Sequence, residues 1–249
     1  MLSKNRLKFL RALDERKTRK AEKCYLAEGY KVVNELISFP ELILEIFCTA
    51  EWLEQKKLSP QIPLTVVSEK ELGQISSLST PQSVIALVKI EERSFDIKSL
   101  KDQLILILDD IKDPGNMGTL IRIADWFGIR NIIASPHTVD VYNSKVVQST
   151  MGSISRVNVF YKELSELLPE YISNHGILYG ALLEGENIYE KNLKQSGAIV
   201  LGNESTGISD PVKRMITDPI KIPSYKGGAE SLNVAVAGGI ICAEFRRRI

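Results

Sequence analysis

The stretch from Ile199 to Ser209 reads IVLGNESTGIS, and it decides how the rest of the chain is interpreted. Its first three residues form a short apolar run that is typical of a buried strand. Polar side chains follow at once, and Gly202 and Gly207 allow a backbone that passes close to a ligand or takes a positive φ. A binding loop after a buried strand and an ordinary surface turn are both compatible with this pattern.

The chain on either side of this stretch alternates between strands and helices. Leu104–Leu108 is a fully apolar run, and such runs indicate strands buried in a mainly parallel α/β sheet with both faces covered. Further strands are predicted over 131–135, 157–161, 177–183, 198–202 and 220–223. Helices are predicted over 116–127, 144–152, 162–175, 210–216 and 232–248. Ligands of such sheets bind in loops beyond the carboxyl ends of the strands.

A second candidate binding loop follows Leu104–Leu108 and reads LDDIKDPGNMGTLIRIADWFG over 108–128. Turn chemistry explains its proline and glycine. Asn116 lies where the N-cap of the next helix is expected, which is a structural role in its own right. Arg122 lies three residues before Asp125, so a surface ion pair competes with a functional role for this arginine.

The third candidate loop and its helix read IPSYKGGAESLNVAVAGG over 222–239. Lys226-Gly227-Gly228 predicts a flexible basic loop, and Ser231 is able to cap the following helix. Gly238-Gly239 is unusual inside a helix, since each glycine costs about 1 kcal/mol relative to alanine. The pair indicates close approach by a ligand or another backbone, or an ordinary tight helix crossing.

The N-terminal part of the chain carries most of the clustered basic charge. One helix is predicted over 4–23, with an apolar stripe and a basic face, and a second basic cluster closes the chain at 246–248. Further elements are predicted over 25–26, 30–36, 43–50, 64–68 and 83–90, and the polar segment 91–103 is predicted to be a linker. Basic stripes suit a polyanion such as RNA, although a solvated helix face is the plainer explanation.

Composition excludes several classes of protein. The net charge is +1, and the apolar runs are too short to cross a bilayer. The N-terminus does not resemble a signal peptide, and Cys24, Cys48 and Cys242 predict reduced thiols in a cytoplasmic protein. Two histidines without a CxxC or HExxH motif argue against zinc, so no metal is expected.

The three loops resemble the motifs of the SpoU (TrmH-like) family of RNA ribose methyltransferases, within the knotted SPOUT superfamily. Asn116 and Arg122 match the first motif, Gly202-Asn203-Glu204 the second, and Glu230-Ser231-Leu232-Asn233 the third. The segment SPHTVDVYNSKVVQSTMGSISRV over 135–157 also follows the family pattern. Four stretches in the family order and spacing make this resemblance specific, and it covers essentially all of 104–248.

The N-terminal part resembles the family's substrate-binding domain more loosely. Arg19, Leu-Ala-Glu-Gly over 26–29 and Thr-Pro-Gln over 80–82 match its recurrent pieces. Ser83, Ser205-Thr206, Ser224 and Ala235 depart from the family pattern without touching the matched motif residues. We therefore expect an RNA substrate-binding domain over 1–95 and a knotted methyltransferase domain over 96–249.

The resemblance implies a C-terminal α/β trefoil-knot methyltransferase domain with a smaller N-terminal α/β substrate-binding domain. It implies S-adenosylmethionine as the methyl donor and a ribose 2′-hydroxyl of RNA as the acceptor. The catalytic residues implied are Asn116, Arg122, Glu204, Ser231 and Asn233. The implied cofactor contacts are Leu201, Gly202, Asn203, Gly207, Ile222, Pro223, Ser231 and Leu232. The RNA contacts expected are Arg16, Lys17, Arg19, Lys20 and Lys145.

The resemblance implies a role for Arg122 near the nucleophile, in some members as general base; a bidentate clamp on the target phosphate is the alternative that we favour. A guanidinium stays protonated in proteins, which favours the clamp, and the proton then leaves through Ser231, a phosphate oxygen or water. The family pattern also implies a homodimer, in which Arg122 of one protomer is able to serve the pocket of the other.

Several interpretations stay open on the sequence alone. The separate N-terminal domain favours 23S rRNA as the substrate, with tRNA as the alternative. A non-catalytic RNA-binding protein of the same fold is disfavoured by the intact motif residues. A dinucleotide-binding Rossmann enzyme is disfavoured because no GxGxxG motif follows the first apolar strand.

Overall fold

The computed structural model describes residues 2–56, 58–78, 80–225, 228 and 230–247 of the chain. Helices and strands are interspersed along this part of the chain. The first half carries α1 (Lys4–Ala12), α2 (Arg16–Glu22), β1 (Cys24–Glu28), α3 (Tyr30–Leu36), β2 (Ile43–Cys48), α4 (Ala50–Glu54), β3 (Leu64–Val66), α5 (Glu69–Ile75), β4 (Val84–Lys89) and β5 (Leu104–Leu108). The second half carries α6 (Pro114–Trp126), β6 (Asn131–Ala134), α7 (Ser144–Thr150), β7 (Asn158–Tyr161), α8 (Leu164–His175), β8 (Leu178–Asn187), β9 (Gly197–Leu201), α9 (Asp210–Lys213), β10 (Asp218–Lys221) and α10 (Val234–Arg247).

The chain divides into two compact units, the first made of residues 1–93 with 140–155 and the second of 94–139 with 156–249. The first unit holds a four-stranded sheet in the order β1-β4-β2-β3. β4 is antiparallel to both of its neighbours, while β2 and β3 are parallel. Lys226 and Gly227 of the expected basic loop, and Arg248 of the C-terminal cluster, lie outside the described residues.

The single helix expected over 4–23 is two helices in the structure. α1 ends at Ala12, and α2 begins at Arg16. The Arg19 guanidinium donates hydrogen bonds to the backbone oxygens of Leu13 (2.9 Å) and Asp14 (2.6 Å). These are carbonyls that a continuing helix would have used, so the arginine satisfies them and the chain turns there.

Residues 140–155 pack with the first unit, although the strands before and after them belong to the second. α7 contacts β1 and α3. The Arg19 side chain forms an ion pair with the Asp140 carboxylate, and the rings of Tyr25 and Tyr142 lie with their centroids 4.8 Å apart. The domain boundary at 95/96 stays a prediction. It would place residues 140–155 in the second domain, whereas in the structure they pack with the first unit.

The second unit holds a six-stranded sheet in the order β10-β8-β9-β5-β6-β7, and every pair in it is parallel. β5 and β9 are buried along their whole length, as expected for continuous apolar strands with both faces covered. The mainly parallel α/β sheet predicted from the sequence is thereby confirmed.

Packing in the second unit corrects one expectation from the sequence and decides between the alternatives for Gly238. The segment taken as a linker contains a 3₁₀ turn over Ile97–Leu100, whose Ile97 and Leu100 side chains are buried in the core of this unit. Gly238 lets α10 pack closely on α6, because a Cβ at this position would lie 2.7 Å from a methyl group of Leu120. This glycine therefore serves a tight helix crossing within the protomer.

The parallel sheet determines where the three candidate loops meet. β5, β9 and β10 point in the same direction, so the loops that follow Leu108, Leu201 and Lys221 all leave from one edge. Leu108 is paired directly with Leu201, which places the first two loops side by side.

Candidate active site

Glu204 joins the first two loops at the carboxyl edge of the sheet. Its Oε1 accepts hydrogen bonds from the Asn116 side-chain amide (2.9 Å) and the Asp113 backbone N–H (3.3 Å). Its Oε2 accepts one from the Lys112 backbone N–H (3.4 Å). A carboxylate just beyond a buried strand is costly unless it is paired, and these three donors explain why this one is tolerated.

The ionisation of Glu204 is set by these contacts. Partial burial raises the pKa of the carboxyl, but the hydrogen bonds from Asn116 and from the backbone of Lys112 and Asp113 outweigh it, so the pKa lies below its ordinary value. The side chain is therefore an anion at neutral pH, and it accepts hydrogen bonds with both oxygens.

Asn116 and Asn233 extend the network to the third loop. The Asn233 side-chain amide donates to Asn116 Oδ1 at 2.9 Å. Asn233 Oδ1 accepts from the backbone N–H groups of Ala235 and Val236, so Asn233 caps α10, the role that the sequence assigned to Ser231. The chain Glu204–Asn116–Asn233 thus ties all three loops together.

The N-cap of α6 is likewise not the residue expected. Asp113 caps this helix by accepting the Asn116 backbone N–H at 2.7 Å, and Pro114 takes the first helical position. Asn116 lies in the first turn instead, where its side chain is available to bridge Glu204 and Asn233.

The loop Gly202–Ser209, here called the second-motif loop, folds back on itself. Asn203 and Gly207 exchange two backbone hydrogen bonds of 2.9 Å each, and the Asn203 side chain donates to the Asp110 carbonyl at 2.8 Å. Gly207 has φ +73°, and a Cβ on Gly202 would overlap the backbone of Gly207 and Ile208. Both glycines are thus required by a compact loop that is tied to the first loop.

Arg122 lies on the exposed side of α6. The ion pair with Asp125, one of the two alternatives for Arg122, is not formed, because Asp125 pairs with Arg156, whose Nε lies 2.9 Å from the Asp125 carboxylate. Within the described parts of the chain, no hydrogen bond or ion pair involves the Arg122 side chain. The guanidinium is therefore free to contact a ligand or a second molecule.

Comparison with known proteins identifies the chain. The model of the SpoU rRNA Methylase family matches residues 103–243. The chain belongs to this family. The model of the MRM3-like substrate binding domain matches residues 4–86, upstream of the SpoU match.

Individual relatives agree with the family assignment. The 23S rRNA (guanosine(2553)-2′-O)-methyltransferase RlmP of Bacillus subtilis is 30% identical over 97% of this chain and 96% of its own. A TrmH-family structure from Porphyromonas gingivalis is 38% identical with a TM-score of 0.89, and the alignment covers all of both chains. An AdoMet-bound rRNA methyltransferase from Sinorhizobium meliloti is 26% identical with a TM-score of 0.84, over all of this chain and 97% of the other.

Membership of the SpoU family confirms the main predictions from the sequence. The fold class is the α/β knotted methyltransferase domain with a smaller N-terminal α/β domain. The protein is an enzyme of the methyltransferase class, and its cofactor is S-adenosylmethionine. The roles of individual site residues remain predictions.

The described residues at the pocket positions fit this cofactor. Leu201 is buried at the end of β9, while Pro223 and Leu232 are exposed, Leu232 by 49% of its surface. Every residue in the expected contact set is uncharged, and Asn203 and Ser231 are its only members with polar side chains. Apolar side chains and backbone groups suit an adenosyl moiety. The predicted contact set, at an edge where three loops meet, is therefore compatible in its chemistry with S-adenosylmethionine.

The expected RNA contacts divide into two groups. Arg16, Lys17 and Lys20 are exposed on α2, and Lys145 is exposed in the first turn of α7. Arg19 is only 4% exposed, and its guanidinium is occupied by the Asp140 ion pair and two backbone oxygens. Its assignment as an RNA contact is corrected, since a buried and paired guanidinium does not reach a phosphate.

Asp109 also lies at this edge of the sheet, although no sequence motif singled it out. Asp109 directly follows β5, and its carboxylate accepts the Ser209 backbone N–H at 2.8 Å. The sequence feature that could have pointed to Asp109 is the pair of consecutive aspartates, Asp109-Asp110, directly after a buried strand.

Among the residues that the structure describes, no group of three or more histidine, cysteine or acidic side chains is arranged to hold a metal ion. None of the described helices has both the length and the apolar character to cross a membrane.

Proposed function

We propose that this protein transfers the methyl group of S-adenosylmethionine to a ribose 2′-hydroxyl of 23S rRNA. The observation that carries the proposal is the Glu204–Asn116–Asn233 network, which joins three family motifs at one edge of the sheet. The B. subtilis relative named above supports both the 2′-O position and 23S rRNA as the substrate.

The cofactor supplies an electrophilic methyl group, so the protein has to align a hydroxyl with it, remove one proton and hold the RNA. We assign alignment to Asn116 and Asn233, whose amides are fixed by the network and lie at the meeting point of the loops. Glu204 holds Asn116 in place. The predicted cofactor contacts carry no charge, so the positive charge of the sulfonium has no ionic partner. This favours methyl transfer, because the transfer removes that charge.

Arg122 grips the phosphate beside the target ribose. Its guanidinium is exposed and has no partner among the described residues, and a planar fork of donors binds phosphate oxygens in pairs. Because guanidinium stays protonated, the hydroxyl proton leaves through the exposed Ser231 hydroxyl, a phosphate oxygen or water. Arg16, Lys17, Lys20 and Lys145 supply further phosphate contacts in the first unit, which predicts salt-dependent RNA binding.

The protein acts as a homodimer in this proposal. Trp126 on α6 is 85% exposed, and Val236 on α10, which packs on α6, is 52% exposed. The two side chains lie towards opposite ends of the helix pair, and the Trp126 ring is the large apolar surface that a second copy of the chain would cover. Arg122 lies four residues before Trp126 on the same side of α6, so dimerisation through Trp126 brings Arg122 next to the other protomer.

Replacing Trp126 by glutamate should turn the dimer into a monomer. A buried aromatic at the centre of an interface contributes about 2 kcal/mol or more, so self-association should weaken about 30-fold or more. Sedimentation velocity measures this, with Leu183→Glu as the control, since Leu183 on β8 is also exposed, by 68% of its surface. A wild-type protein that stays monomeric at micromolar concentration would contradict the dimer.

The cytoplasm is the compartment that we propose. Cys24, Cys48 and Cys242 are buried free thiols, which suits a reducing environment.

The reaction is tested with S-adenosylmethionine that carries a labelled methyl group. The protein is incubated with unmodified 23S rRNA or with tRNA, and the product is hydrolysed in alkali. A 2′-O-methyl group blocks cleavage of the adjacent phosphodiester, so we expect label in alkali-resistant dinucleotides from 23S rRNA. Asn116→Ala serves as the inactive control.

Other outcomes of this assay decide against parts of the proposal. Label in dinucleotides from tRNA alone would mean that tRNA, and not 23S rRNA, is the substrate of the same ribose methylation. Label in mononucleotides would mean methylation of a base. Binding of both RNA and cofactor without transfer to any RNA would favour a non-catalytic RNA-binding protein.

A further inference from the structure

Asp109 is a buried carboxylate next to the second-motif loop, and the reaction proposed above gives it no role. It is the first residue after β5, and only 5% of its surface is exposed. A carboxylate is rarely buried to this extent unless it is paired, so a specific structural or functional task is expected of it.

Asp109 contacts both ends of the second-motif loop. Its backbone N–H donates to the carbonyl of Leu201, the residue before the loop, at 2.9 Å. Its Oδ2 accepts the backbone N–H of Ser209, the last residue of the loop, at 2.8 Å. One residue, directly after β5, therefore holds the point where the loop begins and the point where it ends.

The geometry of the loop transmits this restraint to the predicted cofactor contacts. Gly202 lies against the backbone of Gly207 and Ile208, so closely that a side chain has no room there. Ile208 directly precedes Ser209, and its own side chain is buried in the core. A shift of Ser209 would consequently move the backbone on which Gly202 rests, while the Ile208 side chain keeps the segment attached.

We infer that Asp109 is a positioning residue that holds the second-motif loop in the shape that binds the cofactor. This inference rests on the proposed function, because it takes the loop to be a wall of the S-adenosylmethionine pocket. The necessary feature is an acceptor atom that reaches the Ser209 N–H. Asparagine keeps such an atom, whereas alanine does not.

The test measures the affinity of wild-type protein and variants for S-adenosylmethionine and S-adenosylhomocysteine by calorimetry. Asp109→Ala should weaken both ligands about tenfold, as expected for the loss of one hydrogen bond to a charged acceptor. Asp109→Asn should stay close to wild type. Ser209→Pro removes the donor instead, and Ser209 already has φ −62°, which proline adopts, so it should reproduce the alanine result.

Two readouts separate positioning from a general loss of stability. Hydrogen exchange of residues 202–209 without ligand should be faster in Asp109→Ala and Ser209→Pro than in wild type. In methyl transfer, KM for S-adenosylmethionine should rise while kcat at saturation changes little. Thr150→Val is the control, because Thr150 is fully buried and donates one hydrogen bond to the Val147 carbonyl in the first unit.

Three results would overturn the inference. Unchanged affinity and loop exchange in both Asp109→Ala and Ser209→Pro would show that the buried Ile208 side chain holds the loop alone. Weaker binding of S-adenosylmethionine but not of S-adenosylhomocysteine by Asp109→Asn would mean that the carboxylate acts through its charge. An equal loss in Thr150→Val would mean a general loss of stability. Wild-type protein that binds neither ligand would contradict the proposed function instead, and exchange of the loop would still decide whether Asp109 restrains it.

Discussion

Replacement of Arg122 by alanine is expected to lower kcat/KM for methyl transfer about 10²–10³-fold, the usual effect of removing a charged donor from a reacting centre. The guanidinium is exposed and has no partner in the described structure, so its loss should leave the fold intact. Arg122→Lys keeps the charge but loses the paired donors, and it should retain part of the activity with weaker RNA binding. Labelled methyl transfer and RNA binding at fixed salt measure both effects.

The lysine variant distinguishes the two roles considered for Arg122. If the arginine clamps the phosphate, activity and RNA affinity fall together. Complete inactivity of Arg122→Lys with unchanged RNA affinity would contradict the clamp and favour a role in proton removal. Arg130→Ala is a suitable control, since Arg130 is also exposed and lies beyond the end of α6.

Replacement of Glu204 by alanine should abolish measurable cofactor binding and lower the free energy of unfolding. The change removes the acceptor for the Asn116 amide and for the backbone N–H groups of Lys112 and Asp113. Hydrogen bonds to a charged group contribute about 1.5–3 kcal/mol to stability. Because Glu204 is partly exposed, we expect the free energy of unfolding to fall by an amount at the lower end of this range. S-adenosylhomocysteine binding and thermal unfolding measure the two effects.

Glu204→Gln keeps one acceptor oxygen but turns an amide NH₂ group towards backbone donors, so it should recover part of the affinity. Glu184→Ala is the matched control, because Glu184 is an exposed glutamate on β8 that pairs loosely with Lys213. Because the pKa of Glu204 lies below its ordinary value of 4.5 in the folded protein, its contribution is complete above that pH. This contribution is lost as the pH falls through the lowered pKa. If Glu204 stabilised the protein at pH 3 as much as at neutral pH, its stabilisation would not depend on an ionised carboxylate, which would contradict this account.

Local patterns predicted the second unit well, because its strands are buried on both faces and read as continuous apolar runs. β5 and β9 were recognised for this reason, and parallel strands place their following loops at one edge. The family motifs identified Asn116, Glu204 and Asn233 as site residues. No sequence pattern showed that the Asn116 side chain forms hydrogen bonds with both of the others. The caps of α6 and α10 were assigned to neighbouring residues, since several polar side chains near a helix start are equally suitable by type.

The sequence by itself determined the fold class, the family and the positions of the three motif loops, since each depends on residues that are close together along the chain. Only the tertiary structure decided which charged side chains are available. Arg19 and Lys20 are adjacent and chemically similar, yet Arg19 is buried against Asp140 while Lys20 is exposed. Likewise, Asp109 differs from Asp110 because its carboxylate meets the N–H of Ser209, a hundred residues later. Burial and pairing depend on contacts between distant parts of the chain, and local sequence does not encode them.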